Sequence, residues 1–92
     1  MILSFQHRGL QRFFEKGSAA GIQPHHADKL RELLTALHAA SSPADLARPS
    51  WRYHQLKGQE RGFASLTVNG NWRVIFCWRG QDVELLDYLD YH

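Results

Sequence analysis

The chain has 92 residues, 43% of them hydrophobic and 22% charged, with a net charge of +2 and one cysteine. That length fits one domain over residues 1–92, and the composition is that of a folded globular chain, with no apolar run near the roughly 20 residues needed to span a bilayer. Cys77 has no thiol partner for an internal disulfide or a metal knuckle, and Met1-Ile2-Leu3-Ser4-Phe5 is not a basic leader followed by a long apolar stretch; the expected compartment is the cytoplasm.

Residues 2–5 are short and apolar between polar neighbours, which predicts an opening strand. Leu10, Phe13 and Phe14 recur at i, i+3 and i+4, and Gly17 follows where a helix would stop, so a short first helix is expected. Pro24 suits a first helical position, and Leu30, Leu33, Leu34 and Leu37 repeat at helical spacing, predicting a second, longer helix. Ser41-Ser42-Pro43 breaks it, with room for one more turn over residues 44–46. From Tyr53 onward the chain reads as strands. Residues 63–68 and 72–78 both alternate with period two, and Asn69-Gly70 between them suggests a type I′ hairpin. A second hairpin is expected near Arg79-Gly80-Gln81, leading into residues 82–88. The fold class is therefore α+β, an N-terminal strand and two helices packed on one face of a three- or four-stranded antiparallel sheet.

Charge is segregated. Between Arg48 and Arg79 lie Arg48, Arg52, Lys57, Arg61, Arg73 and Arg79 against the single acid Glu60. A polyanion would feel that half of the molecule, in a salt-dependent way. The groups able to do acid–base or phosphate chemistry fall there too: His54, Lys57, Arg61, Arg73 and the terminal Asp90-Tyr91-His92. A sheet covered by helices on one side leaves its other face for them. Trp51, Tyr53, Trp72, Trp78, Tyr88 and Tyr91 are interleaved with these groups, either as core residues favoured in strands or as a surface on which bases stack. If the last strand pins the terminus to the sheet, Asp90, Tyr91 and His92 can approach one phosphate together. Ser65, inside a strand pattern, reads as structural. His25 and His26 are adjacent, so in a helical turn they point about 100° apart with no third ligand, and no metal site is expected. No Gly-rich loop or Gly-x-Ser-x-Gly elbow argues for a nucleotide cofactor or acyl-transfer chemistry, and no cofactor is expected.

Several short pieces, in order, resemble one family. They are Phe5 with Gly9-Leu10, Phe13-Phe14-Glu15-Lys16-Gly17, His54-Gln55-Leu56-Lys57-Gly58, Ser65 to Asn71 leading into Trp72-Arg73-Val74-Ile75-Phe76, and Asp90-Tyr91-His92. Each is weak alone; together, across the whole length, they resemble the HigB toxins of the RelE/ParE superfamily. The resemblance implies a RelE-like microbial RNase fold. It implies the toxin of a type II toxin–antitoxin system, a metal-independent, ribosome-dependent endoribonuclease that cuts mRNA in the A site and so inhibits translation. The implied partners are the ribosome and mRNA, a helix-turn-helix (HigA-like) antitoxin, and operator DNA through the antitoxin complex alone, with no membrane. The family's active-site pattern falls on His54, Lys57, Arg73, Asp90, Tyr91 and His92. The chain departs from the pattern at Phe63-Ala64 and at Leu89, positions that bear on substrate preference.

Metal-independent RNA cleavage needs a base for the ribose 2′-OH, an acid for the leaving 5′-oxygen, and cations around the phosphorane. The expected base is Asp90 or His54 and the expected acid His92, with Lys57 and Arg73 on the phosphate and Tyr91 orienting the nucleotide. Arg52, Arg61 and Arg79 are expected to dock on ribosomal RNA. A ParE-like gyrase inhibitor that acts by binding is the alternative on the same fold; it would have no need of the assembled acid–base set. A passive RNA-binding module is a third reading.

Overall fold

The computed structural model describes residues 1–58 and 62–90. Two helices pack against one face of a four-stranded antiparallel sheet, in the order expected. The first helix, α1 (Arg8–Lys16), starts where the His7 imidazole accepts the Leu10 N–H at 3.0 Å and ends where Gly17 donates its N–H to the Phe13 carbonyl. Its early turn presses against the loop behind it so closely that a Cβ on Gly9 would stand 2.8 Å from the Gly21 Cα. Only two hydrogens fit between those backbones, which fixes glycine at both positions.

Pro24 opens a short 3-10 turn, Pro24–His26, which runs into α2 (Ala27–Ala39). Leu30, Leu33, Leu34 and Leu37, the periodic leucines of α2, are all buried. Burying a leucine stabilises a fold by about 1.5–3 kcal/mol, so this stripe supplies a large part of what holds helix to sheet. The further turn forms as Pro43–Leu46, with the Asp45 carboxylate accepting the backbone N–H groups of Ser41 and Ser42, which holds its carboxyl below the usual carboxylate range. Another 3-10 turn, Pro49–Trp51, delivers the chain to the sheet; Trp51 is buried and donates its indole N–H to Glu32 of α2 at 3.1 Å.

The strands are β1 (His54–Gln55), β2 (Phe63–Asn69), β3 (Trp72–Arg79) and β4 (Asp82–Asp90), neighbours in sequence order. The β2–β3 hairpin forms, but not as a type I′ turn on Asn69-Gly70. Asn69 pairs with Trp72 behind a bulge after Thr67, and of the two only Gly70 takes the left-handed backbone, at φ 56°. The second hairpin turns as expected, with Arg79 paired to Asp82. The opening segment joins the free edge of β4 through two isolated parallel bridges, Ile2 to Val83 and Phe5 to Leu86, rather than as the continuous strand expected. The interruption has a local cause: β4 bulges between its pairings at Glu84 and Asp87, Leu85 stands at φ 59°, and its N–H is taken by the Ser4 hydroxyl at 3.0 Å instead of a backbone carbonyl.

Alternation sorts the side chains. Ala64, Leu66, Val68, Val74, Phe76, Val83, Leu86 and Tyr88 meet the helices in the core, joined at its margin by Tyr53, Trp72 and Trp78. Among the described residues the aromatics singled out therefore pack with the helices and form no base-stacking platform on the open face, because period two sends those of the strands to the same side as Val74 and Phe76. Tyr88 stacks on Trp72, with centroids 4.7 Å apart, and its hydroxyl lies 2.6 Å from Nδ1 of His26. His26 is 1% exposed, and its Nε2 has no hydrogen-bond partner among the described residues. Burial, and then the neighbouring His25, push its pKa down; burial pushes that of Tyr88 up, against the lowering effect of the Gln23 N–H.

Candidate active site

The face of the sheet away from the helices carries Ser65 and Thr67 of β2 and Arg73, Ile75 and Cys77 of β3, by the same alternation. Pairing sets their neighbours: His54 stands opposite Ser65, Ser65 opposite Ile75, and Thr67 opposite Arg73. A cleft of about 300 Å³ opens on this face, lined by Arg52, His54, Leu56, Ser65, Thr67 and Arg73. No carboxylate is among those residues.

Each cation is positioned by something specific. Trp51, locked in the core, fixes the chain one residue before Arg52, and Arg52 itself takes a left-handed backbone at φ 49°, closing the turn with its N–H on the Pro49 carbonyl. That conformation costs an L-residue about 1–2 kcal/mol and is held by the surrounding structure. Arg73 donates Nη1 to the Gly70 carbonyl at 2.6 Å and to the Trp72 carbonyl at 3.1 Å, so the β2–β3 turn holds its guanidinium. Its Nε and Nη2 donate to no other described residue, and the Arg52 guanidinium makes no ion pair or hydrogen bond to one. Arginine never loses its charge at neutral pH, so both carry donors available to an anion.

Ser65 adds a neutral donor to the cleft. The residue is only 6% exposed, it lines the cleft, and its hydroxyl has no hydrogen-bond partner among the described residues. The oxygen is not enclosed but opens to the cationic cleft, where it can donate to a ligand atom.

Of the residues singled out from the sequence, the structure brings together Arg52, His54 and Arg73. Arg52, expected to dock on ribosomal RNA, stands in the cleft itself. Lys57 is exposed just past β1 and is not among the lining residues. Asp90 ends β4 opposite Trp72, on the row that faces the helices, while the β4 neighbour of Arg73 is Leu89; Asp90 therefore does not line the cleft. Arg79 lies at the far end of β3, about 20 Å from Arg73 at strand rise, and pairs with Glu84 at 3.6 Å. Arg61, Tyr91 and His92 lie outside the described residues. Sequence reasoning set Ser65 aside as structural and passed over Thr67 and Leu56. The signal was available: Ala64, Leu66 and Val68 form one apolar row, which turns the hydroxyls between them to the open face.

Among the described residues, no group of three or more His, Cys, Asp or Glu side chains could hold a metal ion, and no helix is long and apolar enough to cross a membrane.

Residues 3–92 match the family model described as RelE-like toxin of type II toxin-antitoxin system HigB. The chain is 39% identical over 92 residues to the Endoribonuclease HigB of Proteus vulgaris, covering all of both chains. It is 34% identical over 94 residues to Toxin HigB-1 of Vibrio cholerae serotype O1, covering all of this chain and 98% of that one.

Proposed function

The chain belongs to the HigB family of RelE-like toxins of type II toxin–antitoxin systems, and we propose that it is a metal-independent endoribonuclease that cuts mRNA in the ribosomal A site. The observation that carries the chemistry is the cleft: two arginines with unspent donors, an imidazole and a serine hydroxyl open to it, with no acid lining them. Such a set attracts a phosphodiester and stabilises charge that grows on it.

In the proposed mechanism His54 takes the proton of the ribose 2′-OH. The 2′-oxygen attacks phosphorus, the P–O5′ bond breaks, and a 2′,3′-cyclic phosphate remains on one product. The 5′-oxygen leaves with a proton from His92. Arg73 and Lys57 neutralise the phosphorane, the Ser65 hydroxyl donates to a non-bridging oxygen, and Tyr91 orients the nucleotide. His54 is preferred to Asp90 as base because it shares the cleft with Arg73. The ribosome holds a flexible RNA in line for attack, a positioning effect worth several kcal/mol. A toxin of such a system has an antitoxin; the reading here is a helix-turn-helix, HigA-like one, with operator DNA bound only through the complex, in the cytoplasm.

Single-turnover cleavage of mRNA on programmed ribosomes tests this. His54→Ala should slow it by about 10²–10⁴-fold and Arg73→Ala by about 10²–10³-fold, with 2′,3′-cyclic ends on the wild-type product. Cleavage within about twofold of wild type in both variants would refute the assigned roles. Inhibition of gyrase supercoiling with no cut message would replace the nuclease reading altogether.

A further inference from the structure

We propose that the open face holds a second phosphate subsite, which grips the phosphodiester next to the one being cut. The proposal rests on the nuclease reading above. Beside the cleft lies a second hollow of about 420 Å³, lined by Ser50, Arg52, Val68, Asn69 and Gly70 together with Thr67 and Arg73. Three of these residues, Arg52, Thr67 and Arg73, also line the first cleft, so the two form one continuous trough with the arginines at the boundary. Ser65 and Thr67 stand two residues apart on β2, about 6.6 Å at strand rise, a spacing comparable with that of neighbouring phosphates along an extended nucleic-acid strand, and Asn69 follows beyond the bulge.

The division of labour follows from the donors. Nη1 of Arg73 is committed to the turn carbonyls, so its fork has one free edge and can serve one phosphate. A second phosphate needs a second cation, and Arg52 is the other one lining both hollows. The Ser50 hydroxyl and Asn69 amide, neither bonded to a described residue, supply neutral donors, and no carboxylate lines the hollow. Arg52 is thus a binding residue for the strand beyond the cut.

The test uses programmed ribosomes carrying synthetic messages in which one linkage, on the 5′ or the 3′ side of the cut, is a neutral methylphosphonate. Arg52→Asn removes the charge with a side chain that tolerates the left-handed backbone, so its thermal midpoint should match wild type. Below saturation, one of the two neutral linkages should slow the wild-type protein about tenfold, the loss of one charged hydrogen-bond partner. Arg52→Asn should slow cleavage of the all-phosphate message about as much, with the larger part of the loss in KM, and should be indifferent to that linkage. Ser50→Ala and Asn69→Ala should move the same way by less. If Arg52→Asn cuts the all-phosphate message as wild type does, the subsite is refuted. If it is slower yet equally sensitive to the neutral linkage, Arg52 contacts a phosphate of ribosomal RNA and the assignment to the message is wrong. If wild-type protein leaves the all-phosphate message uncut, it is the nuclease reading that fails, and the subsite goes with it.

Discussion

Replacing Tyr88 with Phe removes one oxygen from the interior and should cost more than that atom suggests. The hydroxyl sits 2.6 Å from His26 Nδ1 and also accepts the Gln23 N–H at 3.3 Å. With His26 only 1% exposed and its Nε2 already without a described partner, water cannot replace what is lost. An orphaned buried polar group costs about 1–3 kcal/mol, and in a domain of this size each kcal/mol lowers the thermal midpoint by about 4–8 °C. Tyr88→Phe should therefore melt about 4–24 °C below wild type. A double-mutant cycle with His26→Leu isolates the cause: with no imidazole to orphan, the added Tyr88→Phe change should cost at least 1 kcal/mol less, roughly. Strictly additive losses would refute the argument. The same ring gives a pH test. Its folded-state pKa is lowered, so its contribution is complete above the unfolded value of about 6.5 and is lost as pH falls below it. The slope is at most about 1.4 kcal/mol per pH unit. Denaturation midpoints of wild type should fall between pH 7.5 and 5.5 more steeply than those of His26→Leu.

Other expectations are quickly checked. Ser65→Ala should leave chemical denaturation within about 1 kcal/mol of wild type, since it breaks no bond to a described residue, yet slow ribosome-bound cleavage about tenfold. Gly9→Ala forces a methyl to within 2.8 Å of Gly21 and should lose about 1–3 kcal/mol in urea titrations. Leu34→Ala, in the buried stripe of α2, should cost about 2–5 kcal/mol by the same measurement.

The helices were legible because Leu10, Phe13, Leu30, Leu33, Leu34 and Leu37 repeat at the period of the surface they bury. The strand alternation was legible for the same reason. Turn detail was not: Asn69-Gly70 signals a reversal, but the bulge after Thr67 depends on how β2 and β3 pair at a distance. Nor was the bulge at Leu85, a residue with no intrinsic liking for left-handed backbone, which is held there by Ser4 from the other end of the chain. At the site, His54 and Arg73 could be chosen by chemical type alone. That Arg52 joins them while Asp90 falls on the opposite row depends on a buried tryptophan and on strand register, neither of which is written in a local motif.

The clasp between the first residues and the last strand governs when this protein can come into being. Leu3 and Gln6 donate to the carbonyls of Val83 and Leu86, so residues 3–6 wait for residues 83–86 to leave the ribosomal tunnel. At about 5–20 residues per second that interval is roughly 4–16 s. Until β4 emerges, β3 has an open edge and the amino-terminal segment has nothing to pair with. A chain released early is thus an unfinished sheet, fit for proteolysis or aggregation rather than for partial activity. The newly made toxin closes its sheet only once β4 is there to meet the amino-terminal segment.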